Sequence, residues 1–87
     1  MKLKYNFVVQ QVADDYVAVT VGKDASSFGG LIRMNKTGAF IFEKLKKDVT
    51  REELLKTLIE KYEADENVLS DNLDSVLKRL QDENVLG

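Results

Sequence analysis

The chain has no cysteine, no histidine and no proline among its 87 residues. Without cysteine there is no disulfide framework, no thiolate nucleophile and no zinc ribbon. Without histidine, the commonest general base near neutral pH and the commonest metal ligand are both missing. Catalysis by carboxylates or lysines is still open to such a chain, but a binding domain without a cofactor is the better expectation. Without proline, the loops owe their shape to Gly, Asn, Asp and Ser. No apolar run approaches the ~20 residues of a membrane span. Met1-Lys2-Leu3-Lys4-Tyr5-Asn6 carries basic residues, but only Phe7-Val8-Val9 follows before Gln10 and Gln11. That is far short of a secretory apolar region. The expectation is a cytoplasmic protein with no membrane partner.

What is present is the balance of a folded globular domain, with 44% hydrophobic and 32% charged residues. The length fits one domain over residues 1–87, burying roughly 60–65% of its unfolded surface. Thirteen Lys and Arg stand against fifteen Asp and Glu, a net charge of -2. Such a chain has no general attraction for polyanions.

The first thirty-five residues read as strands. Phe7-Val8-Val9-Gln10-Gln11-Val12 is rich in β-formers, and Tyr16 to Val21 alternates, with Val17, Val19 and Val21 on one face and Tyr16, Ala18 and Thr20 on the other. Ala13-Asp14-Asp15 between them reads as a tight turn, Asp being tolerant of left-handed conformations. Gly22 to Gly30 reads as a flexible loop, and Leu31-Ile32-Arg33-Met34 as a third strand. Three strands are about the minimum for a stable sheet with one buried face.

The remainder reads as three helices. Asn35 can cap a helix over about Lys36 to Lys47 with Phe42 and Leu45 on one face. Thr50-Arg51-Glu52-Glu53 is a capping box, followed by Leu54, Leu55, Leu58, Ile59 and Tyr62 at helical spacing. A third helix runs from near Asp65 to about Glu83 with an inward stripe of Leu69, Leu73, Val76, Leu77 and Leu80. Asn84 suits a left-handed cap, after which Val85 and Leu86 return to the core. The order β-β-β-α-α-α, with strands and helices segregated, is an α+β layout.

The residues offer no constellation for reaction chemistry. Asp14 and Asp15 are adjacent on a turn and diverge, so they read as solvated and not as a shared-proton pair. Gly29-Gly30 is not followed by the helix start a phosphate loop needs. Asp65, Glu66, Asp71 and Asp74 lack the pattern of a calcium loop. Lys44, Lys46 and Lys47 suit a helix C-terminus. Nucleic acid fares no better, although a helix pair beside a small sheet is similar to a winged helix. Met1 to Lys36 holds five basic and three acidic residues, whereas Thr37 to Gly87 holds eight and twelve. The third helix carries six acids against Lys78 and Arg79, a balance that repels phosphates.

Met34-Asn35-Lys36-Thr37-Gly38-Ala39-Phe40-Ile41-Phe42-Glu43-Lys44-Leu45 resembles the signature of the PqqD-like family: a short strand, Leu-Asn-x-Thr-Gly-Ala, then an aromatic-rich first helix. The similarity continues through Val49 to Leu54, Tyr62 to Asp65 and Leu77 to Leu80, covering about Tyr5 to Leu86. Phe42 stands where the family often has Trp, Glu66 where it often has Pro, and Asn84 where it often has Gly. The resemblance implies a winged-helix-like fold with three antiparallel strands placed first. It also implies a stand-alone RiPP recognition element, a peptide chaperone that is not itself an enzyme. Its partners would be the leader segment of a ribosomally made precursor peptide and a modifying enzyme such as a radical-SAM protein, with the chaperone a monomer or weak dimer. The leader would add as a strand to the third strand, beside the third helix. The alternative is a generic interaction or regulatory module using the same edge.

A free sheet edge offers unpaired backbone donors and acceptors to an extended peptide, independently of any family. On the third strand the candidate residues are Leu31, Ile32, Arg33 and Met34, with Arg33 suited to an acidic leader. On the third helix, at 100° per residue, Val68, Asn72, Ser75 and Arg79 share the less charged flank of the stripe, beside Val76. Asp71, Asp74, Lys78 and Asp82 occupy the other flank and the back.

Overall fold

A computed structural model describes all 87 residues. Strands β1 (Phe7–Val12), β2 (Asp15–Thr20) and β3 (Leu31–Met34) form an antiparallel sheet in the order β1-β2-β3, as the alternation predicts. Helices α1 (Lys36–Lys44), α2 (Arg51–Lys61) and α3 (Glu66–Asp82) follow. The layout is α+β, with the strands ahead of the helices.

The register pairs Val12 with Asp15, so the hairpin loop is the two residues Ala13 and Asp14. The left-handed position falls on Ala13, with φ of 57°, and not on an aspartate as expected. Pairing decides this: a two-residue loop matches the strand twist only with a positive φ, whatever residue stands there. An alanine so placed costs about 1–2 kcal/mol.

The same register places Phe7, Ala18, Ile32 and Met34 on one face, where all four are buried. The valine row of β2 therefore looks outward, joined by Val8 and Leu31. The segment from Gly22 to Gly30 is more ordered than its composition suggests. A 3-10 turn at Gly22–Ala25 opens it, and the Asp24 carboxylate accepts from the Asn6 amide at 2.8 Å. Asp24's carbonyl accepts from the Phe28 amide, and Thr20 Oγ1 donates to the Phe28 carbonyl at 2.6 Å. Phe28 then stacks on Tyr5 and meets Phe7 edge-on, and Phe7 meets Phe42 edge-on at 5.0 Å. The loop is thus pinned by an aromatic chain that ends in the core.

Asn35 caps α1, its side-chain oxygen accepting from the Gly38 amide at 2.8 Å. The helix stops at Lys44, three residues earlier than expected. Leu45 turns fully into the core, and its carbonyl accepts from the Leu3 amide at 2.9 Å, a tertiary bond that sequence periodicity does not reveal. The capping box is complete at α2: Thr50 Oγ1 accepts from the Glu53 amide, and Glu53 accepts from the Thr50 amide. Asp65 caps α3, whose Leu69, Leu73, Leu77 and Leu80 are buried while Val76 is half-buried. Asn84 takes the left-handed position at φ of 60°, and Val85 folds back to full burial. The two ends of the chain then pair through Leu3 and Leu86, a closure between residues too distant for any local pattern to show. Arg51 clamps α2 to α3, reaching Asp74 at 2.7 Å and Ser70 at 2.6 Å.

Two outcomes follow from these elements. Ala13→Gly relieves the left-handed strain against a smaller entropic loss, so the urea midpoint should rise by the equivalent of about 0.5–1 kcal/mol. Arg51 holds the Asp74 carboxyl below its ordinary value of 3.8, first through the hydrogen bond and further through its charge. A lowered native pKa contributes stability that is present above 3.8 and lost as pH falls through the native value. Urea midpoints of the wild type and Arg51→Met should therefore differ most near neutral pH and converge in acid.

Candidate functional site

β3 lies at the sheet edge, and the hydrogen bonds identify which of its groups are free. Val21 donates to the Asn6 carbonyl, so odd-numbered residues of β2 point to β1 and even-numbered ones to β3. Ile32 and Met34, paired with Ala18 and Tyr16, spend their N–H and C=O groups on β2. The backbone groups of Leu31 and Arg33 point outward. Arg79 confirms the assignment from the other side, donating through its guanidinium to the Arg33 carbonyl. Helix α3 thus touches the free edge with a side chain that occupies one of its acceptors.

Between this edge and α3 lies a groove of about 210 Å³. Ile32 and Met34 form one wall, Ser75, Val76 and Arg79 the other, and Phe42 of α1 the floor. The wall and floor meet closely because of Gly38. A Cβ there would stand 3.1 Å from the Met34 Cβ and 3.3 Å from Asn35 Oδ1, inside ordinary contact distance. Arg33 projects to the outer face, where its guanidinium pairs with Asp15 at 2.8 Å. Arg79 is the one charged residue of the groove, whose remaining lining is apolar apart from Asn35, Gly38 and Ser75. No three His, Cys, Asp or Glu side chains come together in a way that could hold a metal ion.

Of the residues singled out in the sequence, the groove gathers Ile32, Met34, Ser75, Val76 and Arg79. Ile32 and Met34 are buried, so they form a wall more than open contact surface. Leu31 and Arg33 contribute edge backbone, while their side chains face the other side of the sheet, Leu31 at 57% exposure. Val68 and Asn72 are exposed nearer the start of α3 and do not line the groove, Val68 at 53% exposure. Asn35, Gly38 and Phe42 were readable only as cap and core, yet they line it. The signal that could have found them is the Asn-x-x-Gly spacing, which seats α1 directly after β3.

The fold and this groove define a winged-helix-like domain with an open sheet edge against a helix. The family model described as coenzyme PQQ synthesis protein D (PqqD) matches residues 15–86. The chain belongs to the PqqD family, as the motif around Met34 to Leu45 leads one to expect. Among solved structures, the chain is similar in fold to one described as TbiB1 in complex with the TbiA(beta) leader peptide. The TM-score is 0.72 at 20% identity, over 99% of this chain and 94% of that one. No curated protein matches the chain.

Proposed function

We propose that this protein is a RiPP recognition element that binds the leader segment of a ribosomally made precursor peptide by strand addition to β3. It delivers the attached core to a modifying enzyme, such as a radical-SAM protein, and carries out no chemistry of its own. The observation that carries the reading is the pair of outward-facing backbone units at Leu31 and Arg33, set beside an apolar groove. An extended peptide satisfies those groups with its main chain and places alternate side chains over Met34, Val76 and Phe42. Membership of the PqqD family and the likeness to TbiB1, whose structure holds a leader peptide, support the same reading.

Arg79 has a role in that event. In the empty protein it caps the Arg33 carbonyl, which an added strand's N–H would claim. Release from the carbonyl turns the guanidinium toward a leader carboxylate, converting an edge cap into a charge-assisted contact. Tethering the core near the enzyme raises its effective concentration to around the millimolar range. Moderate affinity, roughly micromolar, then suffices and lets the product leave.

Calorimetric titration with the leader of a neighbouring precursor gene tests the reading. Arg33→Pro removes an outward donor but no β2–β3 ladder bond, so the fold should persist while leader affinity falls roughly tenfold or more. Ile32→Pro removes an inward ladder bond and should destabilise the sheet itself. Equal leader affinity for Arg33→Pro and the wild type would move the site off β3.

Arg79→Glu should weaken an acidic leader, whereas Lys78→Glu should matter little. Lys78 is exposed and paired with Asp82 at 3.2 Å on the back of α3. Both variants should unfold within about 0.5 kcal/mol of the wild type. Equal losses of affinity would show that the leader does not lie along the Arg79 flank.

A further inference from the structure

Helix α1 has a second groove on its other side. A cavity of about 500 Å³ opens toward the β1–β2 hairpin, between the sheet, α1 and the end of α2. Its lining includes Val9, Tyr16, Phe40 and Tyr62, and its charged groups are Lys36, Lys44, Lys61 and Glu43. None of the three lysines forms an ion pair, and Glu43 is already held by Lys46 at 3.1 Å. In a chain of net charge -2, the positive charge here is locally unbalanced.

The ammonium groups also converge. Lys44 and Lys61 each lie 5.2 Å from the centre of the Phe40 ring, and Lys61 lies 5.7 Å from that of Tyr62. Two like charges are thus held within about 10 Å, roughly the screening length in 0.1 M salt. Attraction to the ring holds each one singly, but no carboxylate forms an ion pair with either. Phe40 meets Tyr62 edge-on, and the Tyr62 hydroxyl is the one buried side-chain polar atom without a hydrogen-bond partner. Buried polar groups are rarely left so, and the residue that carries this one lines the same cavity.

An apolar floor ringed by unpaired ammonium groups complements an apolar side chain flanked by carboxylates. Because the ammonium groups already lie over the Phe40 ring, that ring offers no bare platform for a nucleic-acid base to stack on. We propose that this groove is a second docking surface, which takes an acidic segment of a partner protein. An aliphatic or aromatic side chain of that segment sits on the floor, and its Asp or Glu carboxylates bridge Lys36, Lys44 and Lys61. Naming the modifying enzyme as that partner rests on the delivery reading above; the charge preference of the groove does not. With α1 between the two grooves, leader and partner can be bound at once.

The test titrates the full chain by amide NMR with four probes. These are the acetylated peptide Glu-Glu-Leu-Phe-Glu-Glu, its lysine counterpart Lys-Lys-Leu-Phe-Lys-Lys, inorganic phosphate and a short oligothymidylate. The acidic peptide should shift the amides of Val9, Ala39, Phe40, Lys44 and Lys61, and its binding should weaken as salt is raised. Lys44→Glu with Lys61→Glu, both at exposed positions, should cost roughly tenfold or more in affinity for it while leader affinity is unchanged. The proposal is overturned if the lysine peptide binds as well, if the double variant loses nothing, or if the shifts fall on the β3–α3 groove. Equal or tighter binding by phosphate or oligothymidylate would make this an anion or nucleic-acid site instead and would also overturn it. A wild-type chain that takes the acidic peptide here but binds no leader would refute the delivery reading and leave this proposal standing.

Discussion

Phe42 is where sheet and helices meet. Its side chain is fully buried, edge-on to Phe7 on the sheet, and it also floors the groove under α3. α1 has only nine residues, too few to be stable alone in water, so its position depends on burial. Ile41, Phe42 and Leu45 supply that burial, and Asn35 fixes the entry of the chain immediately after β3. Because α1 packs on β2 and β3 as well as on α2 and α3, its seating also sets how far α3 stands from the β3 edge. That spacing is one arginine side chain wide, as the bond from Arg79 to the Arg33 carbonyl shows.

An open sheet edge invites unwanted pairing. Here β3 is only four residues long, Arg33 projects beside it in a pair with Asp15, and Arg79 covers a carbonyl. The two side-chain contacts can yield to a peptide of the right sequence, because each is a surface contact worth little on its own. Protection and recognition are thus two states of the same few side chains. On the far side of α1, the unpaired lysines around Phe40 present the opposite situation, a surface whose charges have no partner on the chain.

Local patterns made much of this legible in advance. A β-forming run, an alternating one and a short apolar one placed the three strands, Asn35 and the Thr50–Glu53 box marked the helix starts, and the leucine spacing of α3 predicted its buried face. What escaped depends on distant contacts. The left-handed Ala13 follows from strand register, the early end of α1 from the Leu3–Leu45 bond, and the fixed loop from Phe28 reaching Tyr5 and Phe7. The groove flank was half legible. Helical angle alone puts Val68 and Asn72 with Ser75 and Arg79, but α3 is about 25 Å long and β3 about 13 Å. Only the part of α3 that faces so short a strand can share a groove with it.

Hydrogen exchange at the β3 amides tests the central claim most directly. The amides of Leu31 and Arg33 point away from β2 and should exchange fast in the empty protein. With saturating leader peptide both should become strongly protected, while those of Ile32 and Met34, already in the ladder, change much less. Protection gained along β1 instead, with Leu31 and Arg33 unchanged, would contradict strand addition at β3.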